Sequence, residues 1–255
     1  VTIFPLQWLF TLLFVICSIN VVTYWAIPFH LTLTQSLIPL WEVNFTLNTP
    51  SWFLSSIFVC YLLTPVIFMF TRNRNIYLLL FVAAVAIWHS FLHFLPEDIG
   101  RRWLCYINPL ARLQDYGAGV LLALYWNDIP VMFKKVCNNR FSYTLFETIG
   151  VFLICIALFR FPILGLEKYM GVGSVLLDCY ICLFIAVYSM GQGMISKVLS
   201  KPVFSRLGKT SIAIFMSHGF VLYYAEPLFG KSAGLFAFVV FSITILLSLT
   251  LFKYA

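Results

Sequence analysis

Charge is what this sequence has least of. Of its 255 residues, 10% are Asp, Glu, Lys or Arg, against roughly a quarter in an ordinary globular domain. Hydrophobic residues make up 62%, and the mean hydropathy is +0.97. A chain of this size leaves part of its surface uncovered after folding, and there is too little polar side chain here to coat that part. This excludes a soluble enzyme domain, a disordered tail and a fibrous repeat. The solvent for most of the surface is lipid, so the composition describes a polytopic membrane protein.

Other absences narrow the reading. No RNP, zinc-finger or helix-turn-helix pattern is present, so the net charge of +7 points to membrane topology rather than to nucleic acid. Cys17, Cys60, Cys105, Cys137 and Cys155 lie mostly in apolar runs, where cysteine acts as a small hydrophobe. Cys179 and Cys182 form a C-x-x-C with no second pair, which does not make a metal or redox site. His89 and His93 share a helix face, but Ser90, Phe91 and Leu92 lie between them where a zinc motif needs an activating carboxylate. No metal site is expected. The first apolar run lacks the n-region and cleavage site of a signal peptide. There is no internal repeat and no low-complexity linker, so 1–255 reads as one membrane domain.

What is present is a series of apolar runs of spanning length. A spanning helix needs about 20 mostly apolar residues. Eight segments qualify: 6–28, 52–71, 76–95, 108–126, 143–163, 174–194, 211–228 and 233–252. The fold class is therefore all-α, a transmembrane bundle of about eight helices. Ten of the sixteen bases fall on one set of connections: Arg72, Arg74, Lys134, Lys135, Arg140, Lys197, Lys201, Arg206, Lys209 and Lys253. Arg101, Arg102, Arg112, Arg160, Lys168 and Lys231 fall on the other. The positive-inside rule then places both chain ends in the cytoplasm. The 29–51 connection has no Lys or Arg, and Leu37, Leu40, Trp41 and Phe45 run through it. It is expected to fold back onto the membrane surface. Asn44-Phe45-Thr46 is a formal glycosylation sequon, a short pattern that carries little weight.

Ionisable groups inside spanning helices cost a few kcal/mol each and mark functional positions. They are His89, His93, Arg112, Asp115, Glu147, Arg160, Asp178, His218 and Glu226. Arg112 and Asp115 lie one turn apart on one face. They form either a neutralised helix-start pair or a polar pocket in which Arg112 orients a hydroxyl, carbonyl or phosphate. Gly117 and Gly119 follow and allow another helix to approach. His218 lies about 10 Å into its helix, between Ser217 and Gly219, where a hydrated imidazole can act as acid or base near neutral pH. Asp178 and Glu147 have no partner nearby in sequence.

Three stretches resemble one family together. Asn48-Thr49-Pro50-Ser51-Trp52-Phe53-Leu54-Ser55, continuing to Tyr61 and Pro65, is similar to the "N-x-x-x-W-S-L-S…F-Y…P" segment of the acyltransferase-3 family. Arg112-Leu113-Gln114-Asp115-Tyr116-Gly117-Ala118-Gly119 resembles its "R-x-x-E-F-x-x-G". The run from Leu207-Gly208-Lys209 through Ser211 to Ser217-His218 resembles its "L-G-K-x-S-Y-x-I-Y-L-x-H". Phe53 stands where the family has Ser. Ser56, Ile57 and Phe58 stand where it often has Glu, so no carboxylate role carries over there.

The resemblance implies an integral-membrane O-acyltransferase acting on surface polysaccharide of the O-antigen type. It implies transfer of an acyl group, acetyl above all, from acyl-CoA in the cytoplasm to a sugar hydroxyl of a polysaccharide or its lipid-linked precursor. Acetyl-CoA is then a substrate, and no bound cofactor is expected. The lipid bilayer, in a bacterial inner membrane, is the other partner, and nucleic acid is not one. The family has about ten core helices, so the chain is expected to be truncated at both ends, with two helices ahead of Val1 carrying the histidine usually taken as the base, and this stretch alone is expected to be inactive. Within this chain, His218 is the remaining catalytic candidate. Arg112, Asp115, Trp52 and Ser55 are expected to bind the acceptor: Trp52 stacks on a sugar face, Ser55 hydrogen-bonds it and Asp115 holds Arg112. Lys134, Lys135, Arg206 and Lys209 are candidates for the anionic donor, with Lys197 and Lys201 beside them. A transporter or glycan flippase would also carry buried charges, although it often shows the internal repeats missing here. A non-catalytic membrane scaffold is a third reading.

Overall fold

The computed structural model describes residues 3–17, 24–96, 103–137, 139–160, 170–229 and 233–254. Among these residues there are thirteen α-helices and no strand. In chain order they are α1 Ile3–Cys17, α2 Ile27–Thr32, α3 Trp41–Phe45, α4 Ser51–Phe70, α5 Arg74–Phe94, α6 Pro109–Leu124, α7 Ile129–Val136, α8 Arg140–Arg160, α9 Met170–Ser189, α10 Met194–Leu199, α11 Pro202–Lys209, α12 Ser211–Phe229 and α13 Ala233–Tyr254. Each of the eight apolar segments overlaps one helix of at least fifteen residues. Among the described residues two of these, Ser51–Phe70 and Arg74–Phe94, are long and apolar enough to cross a membrane.

Side chains are sorted as lipid requires. Leu79 and Ile87 are about seventy per cent exposed, whereas Gln7, Gln35, Ser55 and Glu147 are almost wholly buried. In water this arrangement would be inverted. Helix starts follow local chemistry: the Asn73 side chain accepts from the amides of Asn75 and Ile76 to cap α5. Pro109 opens α6, where its missing N–H costs nothing. The 6–28 segment is not one helix. α1 is described to Cys17, a 3₁₀ turn occupies Tyr24–Ala26, and α2 starts afresh with a proline in its first turn.

The chain divides into two compact units. The first comprises Val1–Val59, Ile107–Pro109 and Ser205–Ala255. Its apolar core joins Phe10, Leu33, Leu54 and Met216, with Phe58, Phe215 and Phe220 packed against them. The Phe14 ring meets Phe220 edge-on at 5.1 Å. Gly219 is needed for close approach: a Cβ there would lie 2.5 Å from Pro50 Cδ. This lets the Asn48 amide reach the Met216 carbonyl at 3.1 Å. The 29–51 connection folds with Leu37, Leu40 and Trp41 exposed and with His30, Gln35, Ser36, Asn44 and Asn48 buried. An apolar outside over a polar inside is the pattern of a segment lying against lipid. The Asn44 amide donates to the Ile38 and Leu40 carbonyls, so the sequon asparagine is a buried clamp.

The second unit comprises Cys60–Tyr106 and Leu110–Phe204. α5 packs on α6 at Gly117, where a Cβ would meet the Phe81 ring at 2.7 Å, whereas nothing approaches Gly119 within 4 Å. The Thr64 and Tyr116 hydroxyls are 2.8 Å apart. Arg74 pairs with Asp128 at 2.5 Å and lies over the Tyr125 ring.

Glu147, which has no sequence-local partner, is a buried anchor. Its Oε2 accepts from the backbone N–H of Ile195 at 2.9 Å and of Ser196 at 3.3 Å, while Thr144 Oγ1 accepts from Met194. Two side chains of α8 thus cap the first turn of α10. Gly193 makes room, since any Cβ there would fall 2.1 Å from the Glu147 carboxylate. Arg101, Arg102, Lys168 and Lys231 lie outside the described residues, as do the side chains of Arg160, Glu226 and Lys253.

Candidate functional site

The second unit holds a chain of ionic and polar side chains that begins at Arg112. A π-helical turn at Trp103–Ile107, which contains the Cys105 carbonyl, precedes α6. Arg112, on the first turns of α6, donates to that carbonyl from Nη2 at 3.3 Å. Nη1 donates to Asp115 Oδ2 at 2.6 Å. The guanidinium lies 5.3 Å from the centre of the Tyr106 ring, within range of cation–π attraction. The side chains of Arg112 and Asp115 are 17% and 34% exposed, so the pair is neither fully desolvated nor a surface contact. Arg112 Nε is buried with no partner, so one N–H remains for a ligand.

The chain continues through residues that sequence spacing did not connect. Asp178 lies close enough to Asp115 for the two carboxyl groups to interact. Gln114 Nε2 donates to Asp178 Oδ2 at 2.6 Å, and Gln114 Oε1 lies 2.7 Å from His89 Nε2. His89, Gln114 and Asp178 come from α5, α6 and α9, so three helices meet here. His93 is not part of this group: it is exposed, with its ring against Phe94. No group of three or more His, Cys, Asp or Glu suited to a metal occurs among the described residues. Cys179 and Cys182 are free thiols.

The first unit gathers neutral polar groups. Ser55 Oγ donates to the Leu33 carbonyl at 2.8 Å, accepts from the Ser36 amide at 3.1 Å and lies 2.7 Å from Ser36 Oγ. Its hydroxyl is thereby committed to pinning the 29–51 connection onto α4. Trp52 is partly buried, with its ring 5.9 Å from Phe53. His218 donates from Nδ1 to the Phe215 carbonyl at 2.6 Å, which leaves its lone pair on Nε2.

His30, absent from the sequence-based candidates, sits at the centre of this unit. Its Nε2–H donates to the Val43 carbonyl at 2.6 Å, and Ser51 Oγ lies 3.3 Å from its Nδ1. Ser51 Oγ also donates to the Asn48 carbonyl at 2.6 Å and accepts from Gln35 Nε2 at 3.1 Å. Burial pulls the His30 pKa from 6.5 down to about 4, against the opposing pull of the Val43 carbonyl. The ring is therefore neutral at physiological pH. Gln7 Oε1, Gln35 Oε1, Asn44 Oδ1 and Asn48 Oδ1 are buried acceptors without a donor.

The basic candidates are all exposed. Lys134 and Lys135 close the last turn of α7 and belong to the second unit, where they complement the helix dipole. Arg206 and Lys209 close α11 and belong to the first.

A family model described as an acyltransferase domain, that of the acyltransferase-3 family, matches residues 2–253. No curated protein and no solved structure matches the chain.

Proposed function

The chain belongs to the acyltransferase-3 family, and from that premise we propose that it transfers an acetyl group from acetyl-CoA to a sugar hydroxyl of a cell-surface polysaccharide or its lipid-linked precursor. It works in a bacterial inner membrane, with eight spans and both chain ends in the cytoplasm. The observation that carries the reading is Arg112. It lies in the family's Arg motif, is held by Asp115 and the Cys105 carbonyl, and keeps one buried N–H unpartnered. A fixed guanidinium with a free donor is suited to the oxyanion that forms as a hydroxyl attacks a thioester carbonyl.

The other roles follow from chemistry. The acceptor hydroxyl needs a base and the departing thiolate needs a proton. His218 has its lone pair on Nε2 and is the first-unit candidate. Trp52 offers a ring face to a sugar, while Ser55 supports the adjoining backbone. Lys134, Lys135, Arg206 and Lys209 supply positive charge for the phosphates of CoA on the cytoplasmic face.

The test uses labelled acetyl-CoA and membranes carrying the protein. Wild type transfers label into envelope polysaccharide, and Arg112→Ala loses at least about 10²-fold of that activity while remaining membrane-inserted. Movement of glycan across the bilayer without incorporation of label would instead make the protein a flippase.

A further inference from the structure

The environment of His89 dictates which of its nitrogens carries the proton. The argument starts at Asp178. Its Oδ2 accepts a hydrogen bond from the Gln114 side chain at 2.6 Å. A carboxylate oxygen accepts and does not donate, so Gln114 presents its NH₂ end to Asp178. The carboxamide oxygen must then face the opposite way, toward His89 Nε2 at 2.7 Å. That oxygen cannot donate either, so Nε2 carries the hydrogen. The lone pair is left on Nδ1, which is buried and has no protein partner.

A carboxylate orienting an amide that orients an imidazole is the arrangement that holds a general base in one tautomer. The same cluster holds Arg112 through Asp115, whose carboxyl group interacts with that of Asp178. It therefore presents an acceptor, His89 Nδ1, and a donor, Arg112 Nε–H, both buried and both unpartnered. A substrate hydroxyl can donate to an acceptor of the first kind or accept from a donor of the second. His89 lies in the last turns of α5, Arg112 in the first turns of α6 and Asp178 near the middle of α9.

The geometry points to His89 as the proton acceptor for the hydroxyl substrate, with Gln114 and Asp178 as the residues that position it. This rests on the acyl-transfer reading above. As the substrate oxygen bonds to the acyl carbon, its hydrogen passes to Nδ1 and the C–S bond breaks. The proton held by the imidazolium is the one the thiolate takes up in the net reaction. The products are an O-acyl sugar and CoA as free thiol, and His89 is restored.

Two measurements on the membrane-inserted protein test the proposal. The first is ¹⁵N NMR of labelled histidine, with His89 assigned by loss of its signal in His89→Gln. The expected result is Nε2 protonated and Nδ1 bare, with Gln114→Leu releasing that tautomer. A proton on Nδ1 would overturn the assignment whatever reaction the protein performs. The second is acetyl transfer by His89→Gln. The Gln side chain still donates toward Gln114 from near the Nε2 position but has no base at Nδ1. Transfer is expected to fall about 10²–10⁴-fold with insertion unchanged. Wild-type transfer by His89→Gln would overturn the role of His89 and leave the acyltransferase reading intact. Absence of transfer by wild type would overturn both.

Discussion

The two units treat buried polarity differently. Among the described residues the first buries neutral groups: five carboxamides, several hydroxyls and one histidine held uncharged. Most of their donors run to backbone carbonyls of Leu33, Ile38, Leu40, Val43, Asn48 and Met216. The second gathers ions: Arg112, Asp115, Asp178 and Glu147, each tied to a side chain or to backbone N–H groups. Neutral polar groups can close a non-helical connection in lipid at modest cost, because most of their hydrogen bonds satisfy the backbone carbonyls the connection leaves open. Charges cannot be spent that way, since an ion in a low-dielectric setting persists only with a counter-ion or dedicated donors. The contrast separates a device that shapes a loop from devices that hold charge in place.

The sharpest way to break the second unit is at Gly193. Gly193→Ala drives a methyl group into the Glu147 carboxylate, so the cap on α10 must open or the carboxylate must leave its donors. A loss of about 3–5 kcal/mol is expected for a buried ion deprived of its partners, read as a lowered midpoint in detergent unfolding. Glu147→Gln keeps one acceptor for Ile195 and Ser196 and should lose less.

The first unit is breakable by pH. His30 titrates near 6.5 when unfolded and at about 4 when folded. Between those values the unfolded chain binds more protons, so stability falls as pH drops through that window and is fully present above 6.5. The integrated effect is on the order of 3 kcal/mol. His30→Asn should flatten the dependence of the unfolding midpoint between pH 4 and pH 6.5.

A smaller effect distinguishes shaping from binding. Ser55→Ala removes the donor to the Leu33 carbonyl and the acceptor of the Ser36 amide. It is expected to cost about 1–3 kcal/mol of stability. If Ser55 holds the loop rather than the sugar, the KM for acceptor stays unchanged in the folded fraction.

Much of this was legible in the sequence, and the parts that were not share a cause. Apolar runs of helical length located the long helices among the described residues, two of which are long and apolar enough to cross a membrane, and the family motifs drew attention to Arg112 and Asp115. Spacing on one helix could pair those two because they lie one turn apart. It could not join Gln114 to Asp178 or to His89, since those contacts depend on how three helices pack. Gln114 stands between Arg112 and Asp115, so an amide beside an ion pair in the lipid zone was the available signal. His30 was missed because it lies in a connection, where polar residues are expected to face water. Here the connection turns its apolar side outward, and its histidine becomes core. The 6–28 run was read as one helix because hydropathy does not register the break at Tyr24–Ala26 and Pro28.

The central claim is that an acyl transfer is carried out at the ionic cluster around Arg112. Its most direct test is the incorporation of labelled acetyl from acetyl-CoA into envelope polysaccharide, comparing wild type with Arg112→Ala at equal membrane content. The account predicts incorporation by wild type and a loss of at least about 10²-fold in the variant. Wild-type incorporation by Arg112→Ala would contradict it.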